Sequence, residues 1–171
     1  MVPVWVSRPI LKPATVPTDT FSIIGLDARH LAGALALSKE ANWNQVEADW
    51  SMMIAGGEAI GFEDTNGHLI ASALTLGYGN QFGWISMVIV AKTWRKQGLA
   101  TQLLNACIHR LEEQGLIPVL DATPAGENVY RPLGFLPHFG FQRWEHKAAE
   151  TITQNDPKEQ KFQPLNHDQW P

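Results

Sequence analysis

Two hydrophobic periods take turns along this chain, and the places where one yields to the other mark out its elements. Phe21-Ser22-Ile23-Ile24-Gly25 predicts a short strand. Asp27 then stands where it can cap a helix carrying Leu31, Leu35 and Ala36 on one face, a pattern that fades near Ala41. Asn44 opens a second helix, with Glu47 three residues on in capping-box spacing. Its apolar side is Trp50, Met53 and Ile54, and Gly56-Gly57 stops it. Two strands follow, Ala59 to Glu63 and His68 to Leu76, joined by Asp64-Thr65-Asn66-Gly67, whose Asn-Gly pair is a hairpin signal.

Phe82 to Ala91 is apolar almost throughout, which predicts a strand covered on both faces and central in its sheet. A long helix from Gly98 to Gln114 repeats Leu99, Leu103, Cys107 and Leu111 at every fourth position and stops at Gly115. Ile117 to Leu120 reads as a second buried strand, and Val129 to Leu133 as a short helix ended by Gly134. Phe135 to Trp144 reads as a last strand pair or hairpin. Strand, long helix, strand is a crossover between parallel strands, whereas hairpins join antiparallel ones. The expected class is therefore α+β, a mixed and mostly antiparallel central sheet with helices on both faces. Residues 1–20 contain Arg8, Lys12 and the prolines Pro3, Pro9, Pro13 and Pro17, and predict an extended surface arm on which Val4, Trp5 and Val6 dock locally. Residues 21–147 make the domain. Residues 148–171 form a polar tail without apolar periodicity until Phe162.

Composition narrows the function more than the fold. The 171 residues are 44% hydrophobic and 18% charged, enough apolar material for one core. Thirteen Lys and Arg against 17 Asp and Glu give a net charge of −4, with a pI of about 5.8. That balance disfavours a nucleic-acid partner, whose phosphates call for a basic surface. Cys107 is the only cysteine, which excludes an internal disulfide and a cysteine-based zinc site and suits a cytoplasmic setting. No His and carboxylate pair has metal-ligand spacing, so no metal is expected. The longest apolar run, Leu31 to Leu37, is far short of a membrane span, and the early prolines interrupt any secretory signal.

The stretch richest in chemistry is Val90-Ala91-Lys92-Thr93-Trp94-Arg95-Lys96-Gln97-Gly98-Leu99-Ala100. A buried strand gives way to a basic loop, and a helix then starts at a glycine. The first N–H groups of a helix lack internal partners and its dipole makes that end positive. With Arg95 and Lys96 beside it, and Gly98 and Ala100 too small to obstruct, this end suits a diphosphate-like anion. A routine strand-to-helix turn with surface charges is the other reading. Neither G-x-x-x-x-G-K-[ST] nor G-x-G-x-x-G is present.

Three segments together resemble the GNAT superfamily of acyl-CoA-dependent N-acetyltransferases. Arg95 to Ala100 is similar to its R/Q-x-x-G-x-G/A motif, Val88-Ile89-Val90 to its central strand, and Tyr130-Arg131-Pro132-Leu133-Gly134-Phe135 to its Tyr-x-x-x-Gly-Phe element. The likeness runs from about Phe21 to Trp144. Trp43-Asn44-Gln45 with Asp49-Trp50, Trp84 to Val88, and Leu120 to Gly126 resemble a bacterial subgroup often built of two tandem acetyltransferase-like lobes. The chain resembles the first lobe, and Phe162 through Trp170 resembles the opening of the second.

The resemblance implies a splayed parallel strand pair that holds acetyl-CoA as cosubstrate. Pantetheine would pair with the backbone of Val88, Ile89 and Val90. Arg95, Lys96, Gln97, Gly98, Leu99, Ala100 and Thr101 would surround the diphosphate. A primary amine of a small molecule or amino-acid-like acceptor would attack directly in a ternary complex, in a monomer or homodimer. An amine with a pKa near ~10.4 is neutral in roughly one part in a thousand or fewer at pH 7, so it must shed a proton. The family places the acid for the departing thiolate at Tyr130, although a tyrosine there could simply pack. Asp121 could be the base, or could cap the turn at Thr123-Pro124-Ala125-Gly126. Asp49 could hold a cationic acceptor, or belong with Glu47 to a solvated helix face. Trp43 could wall the acceptor site, or sit in the core. Cys107 falls on an apolar face as a small core residue, and His109 on a polar one. Many relatives carry a cofactor-bonding Asn after the second splayed strand; Asn128 is too close to Tyr130 to inherit that role. A non-catalytic acyl-CoA-binding sensor or partner domain is the rival from another class.

Overall fold

Asp64 shows how locally the first hairpin is written. Its Oδ1 accepts the backbone N–H groups of Asn66 and His68 at 2.8 and 2.9 Å, while Gly67 takes a positive φ of 76°. An Asx turn followed by a left-handed glycine reverses the chain without strain. The computed structural model describes residues 2–7, 21–123 and 126–142. Its strands are β1 (Val2–Ser7), β2 (Ile24–Gly25), β3 (Glu58–Glu63), β4 (Leu69–Tyr78), β5 (Phe82–Val90), β6 (Ile117–Asp121) and β7 (Phe135–Phe141). Its helices are α1 (Leu31–Glu40), α2 (Glu47–Gly56), α3 (Leu99–Glu113) and the single turn α4 (Glu127–Tyr130).

The strands form one sheet in the order β2-β3-β4-β5-β6-β1-β7, with β5 and β6 parallel and every other pair antiparallel. A mixed, mostly antiparallel sheet was the expectation, and β5 lies in the middle as its apolar run requires. Helices cover both faces. On one side Leu99, Leu103, Leu104, Cys107 and Leu111 of α3 pack on Ile85, Leu120 and Phe62. On the other, Ala34 and Leu37 of α1 and Trp50 and Met53 of α2 pack on Leu74, Met87 and Ile89. The indole Nε1 of Trp50 donates to Ser38 Oγ at 3.0 Å, so the two buried polar groups that join α1 to α2 satisfy one another. No helix among the described residues is long and apolar enough to cross a membrane.

Four expectations need correction. Val2–Ser7 is not a surface arm but an interior strand between β6 and β7, with Val4 and Trp5 each only 1% exposed. The prolines mislead because the proline within this strand, Pro3, lies just beyond the β6 pairing, which starts at Val4. Its carbonyl still accepts from Ala122 N–H at 3.0 Å. The first predicted strand shrinks to Ile24–Gly25. The second helix begins at Glu47, not Asn44: the side chain of Asp49 reaches back to the N–H of Val46 at 2.8 Å and ends the helix there. The final strand pair is one strand, Phe135–Phe141. Residues 8–20, Trp144 and the predicted tail 148–171 lie outside the described residues.

Candidate functional site

A bulge in β5 creates the site. Ile85 packs towards α3, yet Met87 and Ile89 pack towards α1 and α2, so the alternation slips by one residue between them. Met87 is the residue in the left-handed region, with φ 52°, and the register with β4 shifts at the same point. The carbonyl of Met87 is caught by Ser72 on β4, whose buried Oγ donates at 2.8 Å. Pairing between β5 and β6 runs from Phe82↔Ile117 to Ile85↔Leu120 and then ends, while β5 stays paired to β4 as far as Val90↔Ala71. From Ser86 to Val90, the edge of β5 that faces β6 therefore has no strand partner among the described residues.

The loop after β5 is held from two sides. Arg95 Nε donates to the Val90 carbonyl at 3.0 Å, and the Glu40 carboxylate accepts the backbone N–H of Lys92. Lys96 and Gly98 both take left-handed φ values, 63° and 79°, which curl the chain into the start of α3. The first helical bond recorded runs from Gln102 N–H to the Gly98 carbonyl, which leaves the N–H groups of Leu99, Ala100 and Thr101 for an external partner. Above them opens a cavity of about 680 Å³ whose walls include Val88, Ile89, Val90, Arg95, Lys96, Gly98, Ala100 and Thr101.

A second cavity of about 400 Å³ lies alongside, between the α1–α2 loop and the β5–β6 fork. Trp43, Val88, Thr123 and Tyr130 line both. Trp43 gets there through a Schellman ending of α1: Asn42 is left-handed (φ 57°), and Trp43 N–H bonds back to the Ser38 carbonyl at 2.9 Å. Its side chain is 37% exposed, so it is a wall and not a core residue.

Tyr130 ends α4 and is 9% exposed, its ring edge-on to Phe135 at 6.3 Å. Burial pushes its phenol above the usual 10, so the group stays protonated at neutral pH. Gly126 lies directly beneath the ring: a methyl group there would stand 2.7 Å from Oη. Asp121 closes β6 and lines the smaller cavity. In the turn that follows, Thr123 accepts from Gly126 N–H through its own carbonyl (2.9 Å) and hydroxyl (3.3 Å).

The geometry thus gathers Val88, Ile89, Val90, Arg95, Lys96, Gly98, Ala100 and Thr101 on one wall system, and Tyr130, Asp121 and Trp43 on the next. Two expected members are not on these walls, and a third, Leu99, lines the larger cavity with its side chain turned into the core. The Leu99 side chain is 2% exposed in the core and offers only its backbone. Gln97 is not on either wall, and the Asp49 carboxylate is used at the start of α2. Ser72 and Gly126 were not foreseen. A lone hydroxyl in Ile70-Ala71-Ser72-Ala73-Leu74 was the available signal for Ser72; nothing in the sequence announces the Gly126–Tyr130 contact. Among the described residues no group of three or more His, Cys, Asp or Glu is arranged to hold a metal.

Comparison with known proteins agrees with this geometry. The family model described as "Acetyltransferase (GNAT) family" matches residues 28–135. The uncharacterized N-acetyltransferase YitH of Bacillus subtilis (strain 168) is 31% identical over 114 residues, which is 66% of this chain and 40% of YitH. Among solved structures, a Novosphingobium aromaticivorans protein assigned to the GNAT family superposes with a TM-score of 0.65 at 20% identity, over 80% of this chain and 59% of that one. An acetyltransferase of Trypanosoma brucei gives 0.62 at 19% identity, over 74% of this chain and all of that one. At such identities the structural likeness is one of fold. The chain spans well under two thirds of the length of YitH and of the Novosphingobium protein. The matched family segment holds the bulged strand, the curled loop and the Tyr130 turn alike, and the chain belongs to the acetyltransferase (GNAT) family.

Proposed function

We propose that this protein is an acetyl-CoA-dependent N-acetyltransferase that acts on the primary amine of a small molecule. The observation that carries the reading is the unpaired edge of β5 from Ser86 to Val90, which runs from the curled start of α3 directly to Tyr130. Acetyl-CoA, when bound, supplies an acyl group activated as a thioester. Val88 and Val90 offer it peptide groups in the manner of an added strand, with Ile89, whose own groups face β4, between them. The N–H groups at the start of α3, with the Lys96 ammonium close by, suit its diphosphate; the small Gly98 and Ala100 leave the backbone open. Arg95 serves this end from behind, by holding the Val90 carbonyl.

The remaining roles follow from position and protonation. The peptide N–H of Val88, freed by the bulge, is the donor for a carbonyl oxygen on which negative charge develops. Tyr130 keeps its proton at neutral pH and can lend it, or a hydrogen bond, to a departing sulfur. Asp121, on the wall of the smaller cavity, is the group best placed to take a proton from the amine, directly or through water. Trp43 closes the acceptor side.

A thiol-release assay with acetyl-CoA and a panel of amines tests this. Tyr130→Phe is expected to bind acetyl-CoA as before and to lose about 10²–10⁴-fold in kcat, the usual contribution of a general acid. If no amine is acetylated while acetyl-CoA still binds, the chain is an acyl-CoA-binding module and the enzyme reading fails.

A further inference from the structure

Two polar atoms beside the smaller cavity are unsatisfied. Ser86 Oγ and Gln45 Oε1 are buried and have no hydrogen-bond partner among the described residues. Both residues line the cavity, Ser86 from β5 just before the bulge and Gln45 from the α1–α2 loop. Buried polar groups are normally partnered, and an orphaned pair on the wall of one cavity is what a site built around a missing polar group looks like. Each lies on a rotatable side chain, so a turn about side-chain bonds brings either oxygen to a bound group.

The same wall lacks any cation. No Lys or Arg among the described residues lines this cavity, and its one charged side chain is the Asp121 carboxylate. The amino end of α2 does not compensate, because Asp49 already occupies it. A carboxylate or phosphate on the acceptor would be desolvated here beside Asp121 and with no counter-charge among the described residues, which is strongly unfavourable. An uncharged donor would instead gain two oxygens that side-chain rotation brings to the cavity.

Resting on the acetyltransferase reading above, we infer that the acceptor is a primary amine without any anionic group, carrying a hydroxyl or amide N–H that Ser86 and Gln45 bind. Amino acids and sugar phosphates are thereby excluded as preferred acceptors. Ser86 and Gln45 are specificity residues, set apart from the proton-transfer groups Tyr130 and Asp121. A site built to bond a polar group rejects the analogue that lacks it more sharply than an apolar pocket rejects an extra methylene.

The test uses the full chain and three matched series: straight-chain amino alcohols from 3-aminopropan-1-ol to 6-aminohexan-1-ol, alkylamines with methyl in place of hydroxyl, and the ω-amino acids of equal length. Acetyl-CoA binding is measured separately by calorimetry. The wild-type protein is expected to favour the best amino alcohol over its alkylamine by tenfold or more in kcat/KM, and over its amino acid by a hundredfold or more. Ser86→Ala and Gln45→Met should each shrink the first ratio towards one while leaving kcat on the alkylamine within a few-fold. An amino acid preferred over its amino alcohol, or a hydroxyl preference unmoved in both variants, overturns the inference and leaves the acetyltransferase reading standing. Absence of acetyl-CoA binding together with absence of transfer to every amine overturns that reading, and this inference with it.

Discussion

Gly126→Ala is a change of one methyl group that should disable Tyr130 without touching it. The backbone at Gly126 has φ −82° and ψ −21°, a conformation any residue adopts, so no backbone strain is involved. The added carbon would stand 2.6 Å from Cζ and 2.7 Å from Oη of Tyr130, and closer still to Cε2. Carbon atoms settle at about 3.5 Å or more, so the phenol ring must retreat by roughly 1 Å. It cannot slide far, because Phe135 stands edge-on at 6.3 Å and is fully buried. Misplacement of a reacting group by about 1 Å costs about 10²-fold in rate, and a drop of that order in kcat is expected. Steady-state thiol release gives kcat, and calorimetry gives the affinity for acetyl-CoA, which should fall much less. The decisive comparison is with the double variant: Gly126→Ala added to Tyr130→Phe should lower kcat little further, since the group it displaces is already silent. Full activity in Gly126→Ala, or an undiminished loss in the Tyr130→Phe background, would refute the reasoning.

Three other outcomes are expected. Gly98→Glu should abolish acetyl-CoA binding by calorimetry with the far-ultraviolet spectrum unchanged, and Gly98→Ala, which imposes the same backbone strain at φ 79° but adds little bulk and no charge, should weaken it only in part; equal affinity in Gly98→Glu and wild type would contradict the placement. Ser72→Ala orphans the buried Met87 carbonyl and should cost about 1–3 kcal/mol in urea unfolding together with a fall in kcat, as the bulge loses its tether; an unchanged unfolding midpoint would show that the tether does not matter. Arg29 beside Asp27 lowers that carboxyl from the ordinary 3.8 to about 2. A depressed folded-state value means that its stabilisation is complete above pH 3.8 and is lost as pH falls towards 2. The Tm advantage of wild type over Asp27→Asn, small and salt-sensitive on so exposed a group, should therefore be present at pH 6 and gone near pH 2, and an advantage that persists at pH 2 would contradict it.

The parts of this fold that were legible in the sequence are those written locally. The Asn-Gly hairpin, the glycine stop after α3 and the apolar run of β5 each depend on neighbours a few residues away, and each was found in place. β1 was not legible, since its burial comes from β6 and β7, more than a hundred residues distant, and its proline argued against a strand. At the site, the curled loop before α3 and the position of Tyr130 followed from motif and spacing. The bulge at Met87 did not: an apolar run looks the same with or without a slipped residue, and only its tether, Ser72, leaves a polar mark. The capping role of Asp49 was hidden by an equally good pattern two residues earlier, Asn44 with Glu47, and reach rather than residue type decided between them. The vacant hydrogen bonds of Ser86 and Gln45 are a property of packing and have no sequence signature.

The account stands on the free edge of β5 being the seat of the cosubstrate. Amide hydrogen exchange at Val88 and Val90, whose peptide groups face the free edge, measured with and without a saturating amount of coenzyme A, tests this most directly. Strong added protection confined to these amides and to the first turn of α3 is the predicted result. Saturable binding that leaves the exchange of both β5 amides unchanged would contradict it.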